Sequence, residues 1–373
     1  MTKHVGILTA GSDCPGINAA IRGFGKAARL NYDMALIGFR DGFQGLVNDQ
    51  VVDLGGNALS NVLTAGGTIL GTSRKQPHKF MSGGEITDKT DDAVDVYQEH
   101  QLDALICIGG TETQEAALHL KKAGLNVLTL PKSADNDVPL TDITIGFDTA
   151  KYIATEAIDR LHSTATSNHR IIIVEIMGRE VGWLTLGSGI ASGADVILIP
   201  EIPYQIDKVA GAIRSRQDSG KNFSIIAVAE GAYSAELEAF FVRSLKINRK
   251  VHETESEISG DEKMNQLKKR YTGETLLLAN RLEEATGIES RITILGHLLR
   301  GGAPSASDRV LATQLGTRAA DLVDEGQFGS MVAFQNGKTV CVPLEDVVDG
   351  DKRVPLDHPW IAGARQVGTV LGD

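Results

Sequence analysis

The residues of this chain best suited to chemistry form one polar cluster, Asp135-Asn136-Asp137, with Lys132 and Ser133 just before it. Two carboxylates, a lysine and a hydroxyl are the groups from which ligand and catalytic sites are built. The cluster follows a strand predicted over 126–130, and open α/β sheets bind ligands beyond the carboxyl ends of their strands. A polar loop with helix-capping aspartates has the same residue types, so this stretch alone leaves both interpretations open.

A glycine loop near the N-terminus could bind a phosphate group. A buried strand is predicted over 4–9, followed by residues 10–16 (AGSDCPG) and a helix over 17–30. Backbone N–H groups that converge at a helix N-terminus favour an anion there. The loop matches neither a Walker A loop nor GxGxxG, and a merely tight strand-to-helix turn is the alternative.

Two further loops carry groups that suit a phosphate site. The glycine- and threonine-rich segment 65–75 ends in Arg74 and Lys75, and a guanidinium offers phosphate a planar fork of donors. A solvated basic pair is the alternative. Between the third predicted strand and its helix lies the segment 109–113 (GGTET), in which Thr113 is the predicted N-cap.

Strands and helices alternate along most of the chain, which predicts an α/β fold with largely parallel sheets and helices on both faces. Asp148 is the predicted cap of the next helix, Ser305 and Asp308 form a predicted capping box, and the segment 360–371 is a predicted closing helix. Asn336-Gly337 predicts a β-hairpin. The charged stretch 242–270 is interpreted as an exposed helical or mobile insertion, with a lid as the alternative.

Composition limits the class of protein. The 373 residues are 42% hydrophobic and 23% charged, which is ordinary for a globular enzyme of two domains. The net charge of −11 disfavours a nucleic-acid surface, so an anionic substrate would need a local basic pocket. Three separated cysteines favour a reducing cytoplasm over disulfides or structural zinc. We expect no signal peptide and no membrane span.

Taken together and in order, these segments resemble the 6-phosphofructokinase family over nearly the whole chain. The resemblance is carried by segments 6–18 (GILTAGSDCPGIN), 108–110 (IGG), 131–137 (PKSADND), 146–149 (GFDT), 177–179 (MGR), 230–231 (EG) and 296–302 (GHLLRGG). It implies two doubly wound α/β domains with the active site in the cleft between them. Residues 1–145 would form the phosphoryl-donor domain, 146–295 the sugar-phosphate domain, and 296–373 a returning segment shared by both.

The resemblance also implies roles for individual residues. Asp135 would be the general base that takes the proton from the 1-hydroxyl of fructose 6-phosphate. The catalytic set would be Asp135, Gly11, Arg74, Lys132 and Arg179. The donor-binding set would be Gly11, Arg74, Gly110, Thr111, Glu112 and Thr113. The sugar-phosphate set would be Ser133, Asp135, Arg170, Met177, Gly178, Arg179, Glu230, Arg291, His297 and Arg300. Arg170 and Arg291 would reach across a subunit interface, which implies a homodimer or homotetramer.

The donor segment departs from the pattern of the ATP users in the family. Glu112 would occupy the space and charge of the nucleotide's α-phosphate, and Lys132 is common among pyrophosphate users, so both favour pyrophosphate over ATP. Thr111 replaces the usual magnesium-binding aspartate, and a hydroxyl is a weaker ligand for a hard cation. Asp137 or Glu112 would then hold the Mg²⁺.

The sequence therefore predicts a cytoplasmic, glycolytic phosphotransferase that makes fructose 1,6-bisphosphate with pyrophosphate. An ATP-dependent 6-phosphofructokinase is the first alternative. A catalytically silent sugar-phosphate-binding paralogue is an alternative of another class, and a kinase for another phosphorylated sugar, such as sedoheptulose 7-phosphate, is a third.

Overall fold

The computed structural model describes residues 2–240, 273–350 and 352–373. The chain divides into two compact units: unit 1 comprises Met1–Ala150 and Leu299–Lys352, and unit 2 comprises Lys151–Leu298 and Arg353–Asp373. The insertion predicted at 242–270 lies outside the described residues.

The strands and helices are numbered in chain order over the described residues. The strands are β1 His4–Thr9, β2 Ala35–Phe39, β3 Val51–Asp53, β4 Phe80–Ser82, β5 Glu85–Thr87, β6 Ala104–Gly109, β7 Val127–Pro131, β8 Ile171–Ile176, β9 Val196–Leu198, β10 Ser224–Ala229, β11 Ser290–Ile294, β12 Ser330–Gln335 and β13 Lys338–Pro343. The α-helices are α1 Ile17–Tyr32, α2 Phe43–Val47, α3 Thr90–Glu99, α4 Thr111–Lys122, α5 Phe147–Asn168, α6 Trp183–Ala191, α7 Ile206–Asp218, α8 Glu274–Thr286, α9 Ala306–Glu325, α10 Leu344–Val348 and α11 Pro359–Gln366. A 3₁₀ helix spans Gly296–Arg300.

Within the described part of unit 1, seven strands form one sheet in the order β13-β12-β7-β6-β1-β2-β3. The five inner strands are parallel, and the two edge strands β3 and β13 are antiparallel to their neighbours. Strand β6 is buried along its whole length, as expected for a parallel strand covered on both faces. Because β1, β6 and β7 run in the same direction, the loops that follow them meet at one edge of the sheet.

The core of unit 1 explains where its helices lie. Leu8 and Leu105 of the sheet pack with Leu120 of α4 in one apolar cluster. Helices α1 and α9 approach each other closely because glycines lie at their contact: a Cβ on Gly316 would come within 2.5 Å of the Phe24 backbone nitrogen.

Within the described part of unit 2, four parallel strands form a second sheet in the order β11-β8-β10-β9. Apolar side chains of α7 and α8, such as Ile213 and Leu282, pack with Ile173 of β8 and Ile226 of β10. Two units with largely parallel sheets confirm the predicted α/β fold class. Among the described residues, no helix combines the length and the apolar composition that a membrane crossing requires.

Some local predictions are confirmed and others are wrong. Asn336 and Gly337 have φ values of 51° and 79°, the left-handed pair that a two-residue hairpin requires, so the predicted hairpin is confirmed. Helix α11 ends at Gln366 rather than at the predicted residue 371. The chain leaves that helix because Val370 pairs with Val196 in an isolated bridge.

The predicted capping box at the start of α9 is half formed. Ser305 accepts a hydrogen bond from the backbone nitrogen of Asp308 at 3.1 Å, as predicted. The Asp308 carboxylate does not return to Ser305, because it accepts instead from the backbone nitrogens of Gly146 at 2.9 Å and Thr149 at 2.8 Å. Asp148 lies inside the first turn of α5, so its predicted role as the cap is wrong.

Candidate active site

The glycine loop after β1 is hydrogen-bonded to the segment 72–74. Gly11 has φ +79°, and a residue with a side chain is strained in that conformation. Its backbone nitrogen donates to the Ser73 carbonyl at 2.9 Å, and the Thr72 hydroxyl donates to the Gly11 carbonyl at 2.7 Å. The Arg74 guanidinium donates to the Ser12 hydroxyl at 2.8 Å. The structure thus brings together Gly11 and Arg74, two of the predicted donor-binding residues.

Lys132 joins the glycine loop to the loop that follows β7. Its side chain is only 3% exposed, and Nζ donates to the carbonyls of Ala10, at 3.1 Å, and Ser12. Its backbone nitrogen donates to the Gly109 carbonyl at 3.0 Å. Burial lowers the pKa of Lys132, and the charge of Asp137 is among the influences that oppose this shift.

The segment after β6 begins helix α4 earlier than predicted. Gly110 is the N-cap residue with extended backbone and no side-chain cap, so Thr113 is not the N-cap. Thr113 is buried and packs against the strand end, where a Cβ on Gly109 would come within 2.0 Å of its hydroxyl oxygen. Thr111 and Glu112 are exposed in the first turn, and the Glu112 carbonyl accepts from the Gln76 side chain at 3.3 Å.

The loop that carries the predicted base is a tight turn, here called the base loop and defined as residues 133–137. The backbone nitrogen of Asp135 donates to the Ser133 hydroxyl at 3.2 Å. Asn136 lies between the two aspartates in the left-handed conformation, with φ +58°. The structure therefore places Ser133, Asp135 and Asp137 in one turn beside Lys132.

The side chain of Asn136 organises this turn. Its Oδ1 accepts from the Thr144 backbone nitrogen at 3.0 Å, and its Nδ2 donates to the Asp142 carbonyl at 3.2 Å. The Lys352 amine donates to the same Oδ1 at 2.7 Å. Sequence reasoning missed Lys352, because no local pattern marks it and the contact spans 216 residues.

The donor set suits a metal ion held mainly by ligand phosphates and water. The buried Oδ1 of Asp137 accepts no hydrogen bond from the described residues, which leaves it available to a cation. Over the same described ranges, no group of three or more His, Cys, Asp or Glu side chains could enclose a metal. Mg²⁺ is commonly bound by one or two carboxylates together with water and substrate phosphates, so one aspartate at this place fits it.

In unit 2, several predicted sugar-phosphate residues meet at the carboxyl edge of the sheet. Met177 and Gly178 directly follow β8, and Glu230 directly follows β10. The Glu230 nitrogen donates to the Ile176 carbonyl at 2.8 Å, and the Gly231 nitrogen donates to the Gly178 carbonyl at 3.1 Å. A Cβ on Gly231 would come within 1.9 Å of the Arg179 carbonyl oxygen, so the two loops are in direct contact.

Arg170 and Arg291 lie at the other edge of the same sheet. Arg170 precedes β8, and Arg291 pairs with Ile172 near the start of that strand. Glu289 binds both guanidinium groups, that of Arg170 at 2.6 Å. The strand between Arg170 and Met177 has six residues and spans about 20 Å. One chain therefore does not gather all the predicted sugar-phosphate residues around a single ligand.

The two remaining candidates lie on the 3₁₀ helix Gly296–Arg300. His297 belongs to unit 2 and is exposed. Arg300 belongs to unit 1, where its charge acts on Cys14 and Lys132 and so lies near the glycine loop. Burial raises the pKa of Cys14 to about 12, which keeps its thiol neutral beside these cations.

Comparison with known proteins gives consistent results. A family model described as phosphofructokinase matches residues 4–323. An ATP-dependent 6-phosphofructokinase of Propionibacterium freudenreichii is 52% identical, with both chains covered to 100%. One of Spirochaeta thermophila is 46% identical over 100% of this chain and 98% of its own.

Solved structures show the same similarity. Phosphofructokinase from Pichia pastoris in the T-state is 30% identical with a TM-score of 0.76, over 93% of this chain and 35% of the yeast chain. This chain therefore spans about a third of that protein. A pyrophosphate-dependent phosphofructokinase from Marinobacter aquaeolei has a TM-score of 0.77 at 21% identity, over 100% of this chain and 92% of its own, which shows likeness of fold alone.

Proposed function

The chain belongs to the phosphofructokinase family, and we propose that it transfers the terminal phosphoryl group of ATP to the 1-hydroxyl of fructose 6-phosphate. The observation that carries the proposal is the position of Lys132, which begins the polar turn of Asp135 and donates through Nζ to the Ala10 and Ser12 carbonyls of the glycine loop. A base and a phosphate-binding loop are therefore neighbours in unit 1.

Each group has a defined task in this reaction. Asp135 takes the proton of the 1-hydroxyl as that oxygen attacks the γ-phosphorus of ATP, the bond from this phosphorus to the β,γ-bridging oxygen breaks, and ADP leaves. Such a base contributes about two to four orders of magnitude in rate. The backbone N–H groups after Gly11, together with Arg74 and Arg179, stabilise the charge of the phosphoryl group in transfer. Stabilising that charge is most of the catalysis in phosphoryl transfer.

The sugar phosphate is bound by the residues that the family resemblance gives for it, among them Arg300 and the Ser133 hydroxyl. The Met177-Gly178 backbone and Glu230 orient the sugar hydroxyls, and cationic groups bind the 6-phosphate. The cationic groups are Arg170, Arg291, Arg300 and His297 when protonated. They supply the local positive charge that an anionic substrate needs on a chain of net charge −11.

Magnesium is part of the proposal. Asp137 would hold the ion together with donor phosphates and water, and Glu112 at the start of α4 is a second candidate ligand. When bound, the ion neutralises phosphate charge and aligns the donor. A cytoplasmic location and a homodimeric or homotetrameric state stay predictions.

The identity of the donor is where the comparisons weigh against our expectation from sequence. The relatives at 52% and 46% identity are named ATP-dependent, which favours the ATP alternative over pyrophosphate. Lys132 adds a physical reason, because its amine is engaged by two backbone carbonyls and so has a structural role that any donor would need. Pyrophosphate remains the second candidate because Glu112 places a carboxylate in the first turn of α4.

A coupled assay with fructose 6-phosphate and magnesium tests the donor. We expect turnover with ATP and only background with pyrophosphate. Turnover with pyrophosphate alone would establish the second candidate, and Glu112→Gly should then admit ATP. No turnover with either donor, nor with sedoheptulose 7-phosphate as acceptor, would leave the silent sugar-phosphate binder.

A further inference from the structure

Lys352 contacts the base loop from a distant part of the sequence. It is the last residue of unit 1, and its side chain is half-buried. Its amine donates to Asn136 Oδ1 at 2.7 Å and to the Asp142 carbonyl at 3.3 Å. Asn136 belongs to the base loop, and Asp142 lies in the segment that follows it, whose Ile145 forms an isolated bridge with Lys132.

Lys352 contacts Asn136, whose backbone conformation sets the orientation of the Asp135 and Asp137 side chains. Asn136 has φ +58°, a conformation that non-glycine residues adopt only when their surroundings hold them in it. Asp135 and Asp137 flank this residue, so a change in its backbone reorients both side chains. Of the donors to Asn136 Oδ1, the Lys352 amine at 2.7 Å is closer than the Thr144 nitrogen at 3.0 Å and hydroxyl at 3.3 Å.

Charge supports the same arrangement. Burial lowers the pKa of Lys352 to about 7, and the charge of Asp137 opposes this shift, as it does for Lys132. The second aspartate of the turn thus interacts electrostatically with lysines from two separate parts of unit 1. The hydrogen bond to Asn136 does not depend on the charge of Lys352, because a neutral amine also donates.

We propose that Lys352 is a positioning residue, which holds Asn136 in its left-handed conformation and thereby fixes Asp135 and Asp137 for phosphoryl transfer. Lys352 acts through Asn136, and its role requires no contact with the substrate. The kinetic consequence rests on the proposed function. The effect on the conformation of the base loop does not.

Two measurements on the full chain test the inference. Lys352→Met removes the donor and retains most of the side-chain volume, and Lys338→Met, an exposed lysine of β13, is the matched control. We expect Lys352→Met to lower kcat by about 10- to 100-fold, with KM for fructose 6-phosphate within about threefold, because the defect is one of geometry at the reacting atoms. Hydrogen exchange should accelerate in peptides covering 133–146 and remain unchanged elsewhere.

A double-mutant cycle tests whether Lys352 acts through Asn136. Asn136→Gly removes the side chain and retains access to positive φ, so Lys352→Met should add less than about threefold in that background. Full additivity would overturn the inference, as would a kcat equal to that of Lys338→Met. Unchanged exchange over 133–146 would overturn it as well.

Further controls separate failure of the inference from failure of the proposed function. Thermal unfolding of each variant checks the fold, and Lys352→Gln replaces Lys352→Met if the latter does not fold. Hydrogen exchange needs no substrate, so it decides the positioning role even if the wild-type chain proves inactive towards fructose 6-phosphate. Inactivity of the wild type would contradict the proposed function alone.

Discussion

The Lys132 amine donates hydrogen bonds to the backbone carbonyls of Ala10 and Ser12, so one buried side chain stabilises the glycine loop. The sequence indicates a lysine beside a phosphate site and, by family resemblance, a preference for pyrophosphate. Its hydrogen-bond partners lie about 120 residues away in the sequence, and no local pattern specifies them.

Replacement of Lys132 by methionine distinguishes two roles for this residue: stabilising the glycine loop, or selecting between ATP and pyrophosphate. Lys132→Met would remove the donor from the buried Ala10 carbonyl, and an unsatisfied buried group costs about 1–3 kcal/mol of stability. If Lys132 stabilises the glycine loop, Lys132→Met should have a lower thermal stability and a lower kcat with whichever donor the enzyme uses. The alternative, a changed ratio of ATP to pyrophosphate turnover at unchanged stability, would show that Lys132 selects the donor. Turnover with both donors and thermal unfolding are the measurements.

At this scale the sequence predicts the types of residue in the site better than their contacts. Asp135, Asp137 and the glycine loop are candidates by residue type and by their positions after strands, and their roles come from the family resemblance. Lys352 is not, because its contact with Asn136 depends on the tertiary fold and on a turn that also requires positive φ. Thr113 has the residue type of an N-cap, but Gly110 is the N-cap residue. Thr113 is the third residue of the helix and packs against the end of β6.

Among the elements, the segment that carries Arg74 is fastened to helix α4. Gln76 donates to the Glu112 carbonyl, and the His78 ring stacks on His119 with centroids 4.5 Å apart. Glu115 lies 3.6 Å from His78 and 2.7 Å from Lys79. The position of Arg74, the proposed donor-binding arginine, therefore depends on a contact that contains two histidines.

The stacked histidines predict a loss of stability in acid. Burial, reinforced by the charges of His119 and Lys79, lowers the pKa of His78, whereas Glu115 opposes the shift. The folded protein then binds fewer protons than the unfolded chain just below the ordinary histidine pKa of about 6.5, so stability falls as pH falls through that value. Asp88 also faces the pair.

Replacing His78 checks the sign of this effect. His78→Phe keeps a ring for stacking and cannot be protonated, so its free energy of unfolding should fall less than that of the wild type between neutral and mildly acidic pH. His4→Phe, an exposed histidine at the start of β1, is the control and should follow the wild type. Equal slopes for wild type and His78→Phe in denaturant titrations would contradict the argument.

The alternation of strands and loops makes the elements of unit 1 largely predictable. The predicted strand 4–9 has the bounds found for β1, because its mainly apolar run is followed by the glycine loop 10–16 and preceded by the N-terminal residues. Element ends set by distant contacts are less predictable. Helix α11 ends earlier than predicted because Val370 pairs with β9. The Asp308 carboxylate accepts hydrogen bonds from the backbone nitrogens of Gly146 and Thr149 rather than from its own helix.

For the whole molecule, the distribution of unit 2 residues over two edges of one sheet has a consequence for assembly. Met177 and Arg170 are separated by the full length of β8. If both bind one sugar phosphate, two copies of the chain must contribute to each site, as the family resemblance implies for Arg170 and Arg291. Ile294 and Leu298, on or beside the edge strand β11, are 64% and 69% exposed, which suits burial against a second copy.

Mixing two inactive variants tests this shared site. Arg170→Ala removes an amino-edge cation and Asp135→Asn removes the base, so each variant alone should have little activity. Coexpressed chains should recover about one quarter of wild-type activity, since half of randomly formed dimers are mixed and each mixed dimer has one intact site. A mixture no more active than its components would show that each site is formed by a single chain.

The family is recognisable from the order of short segments along the chain, because most of these segments lie at the end of a strand. The donor was less predictable from single positions: Glu112 and Lys132 favoured pyrophosphate, whereas the relatives favour ATP. The exposed Glu112 and the internally bonded Lys132 show why residue identity alone does not define the donor site.

The central claim is that Asp135 is the base in phosphoryl transfer to fructose 6-phosphate, and product formation by Asp135→Asn tests it most directly. Phosphorus NMR of a reaction with magnesium and ATP should show fructose 1,6-bisphosphate for the wild type. For Asp135→Asn, the rate should fall by about two to four orders of magnitude, with KM nearly unchanged and thermal unfolding as in the wild type. A folded Asp135→Asn variant that makes the bisphosphate at the wild-type rate would contradict the account.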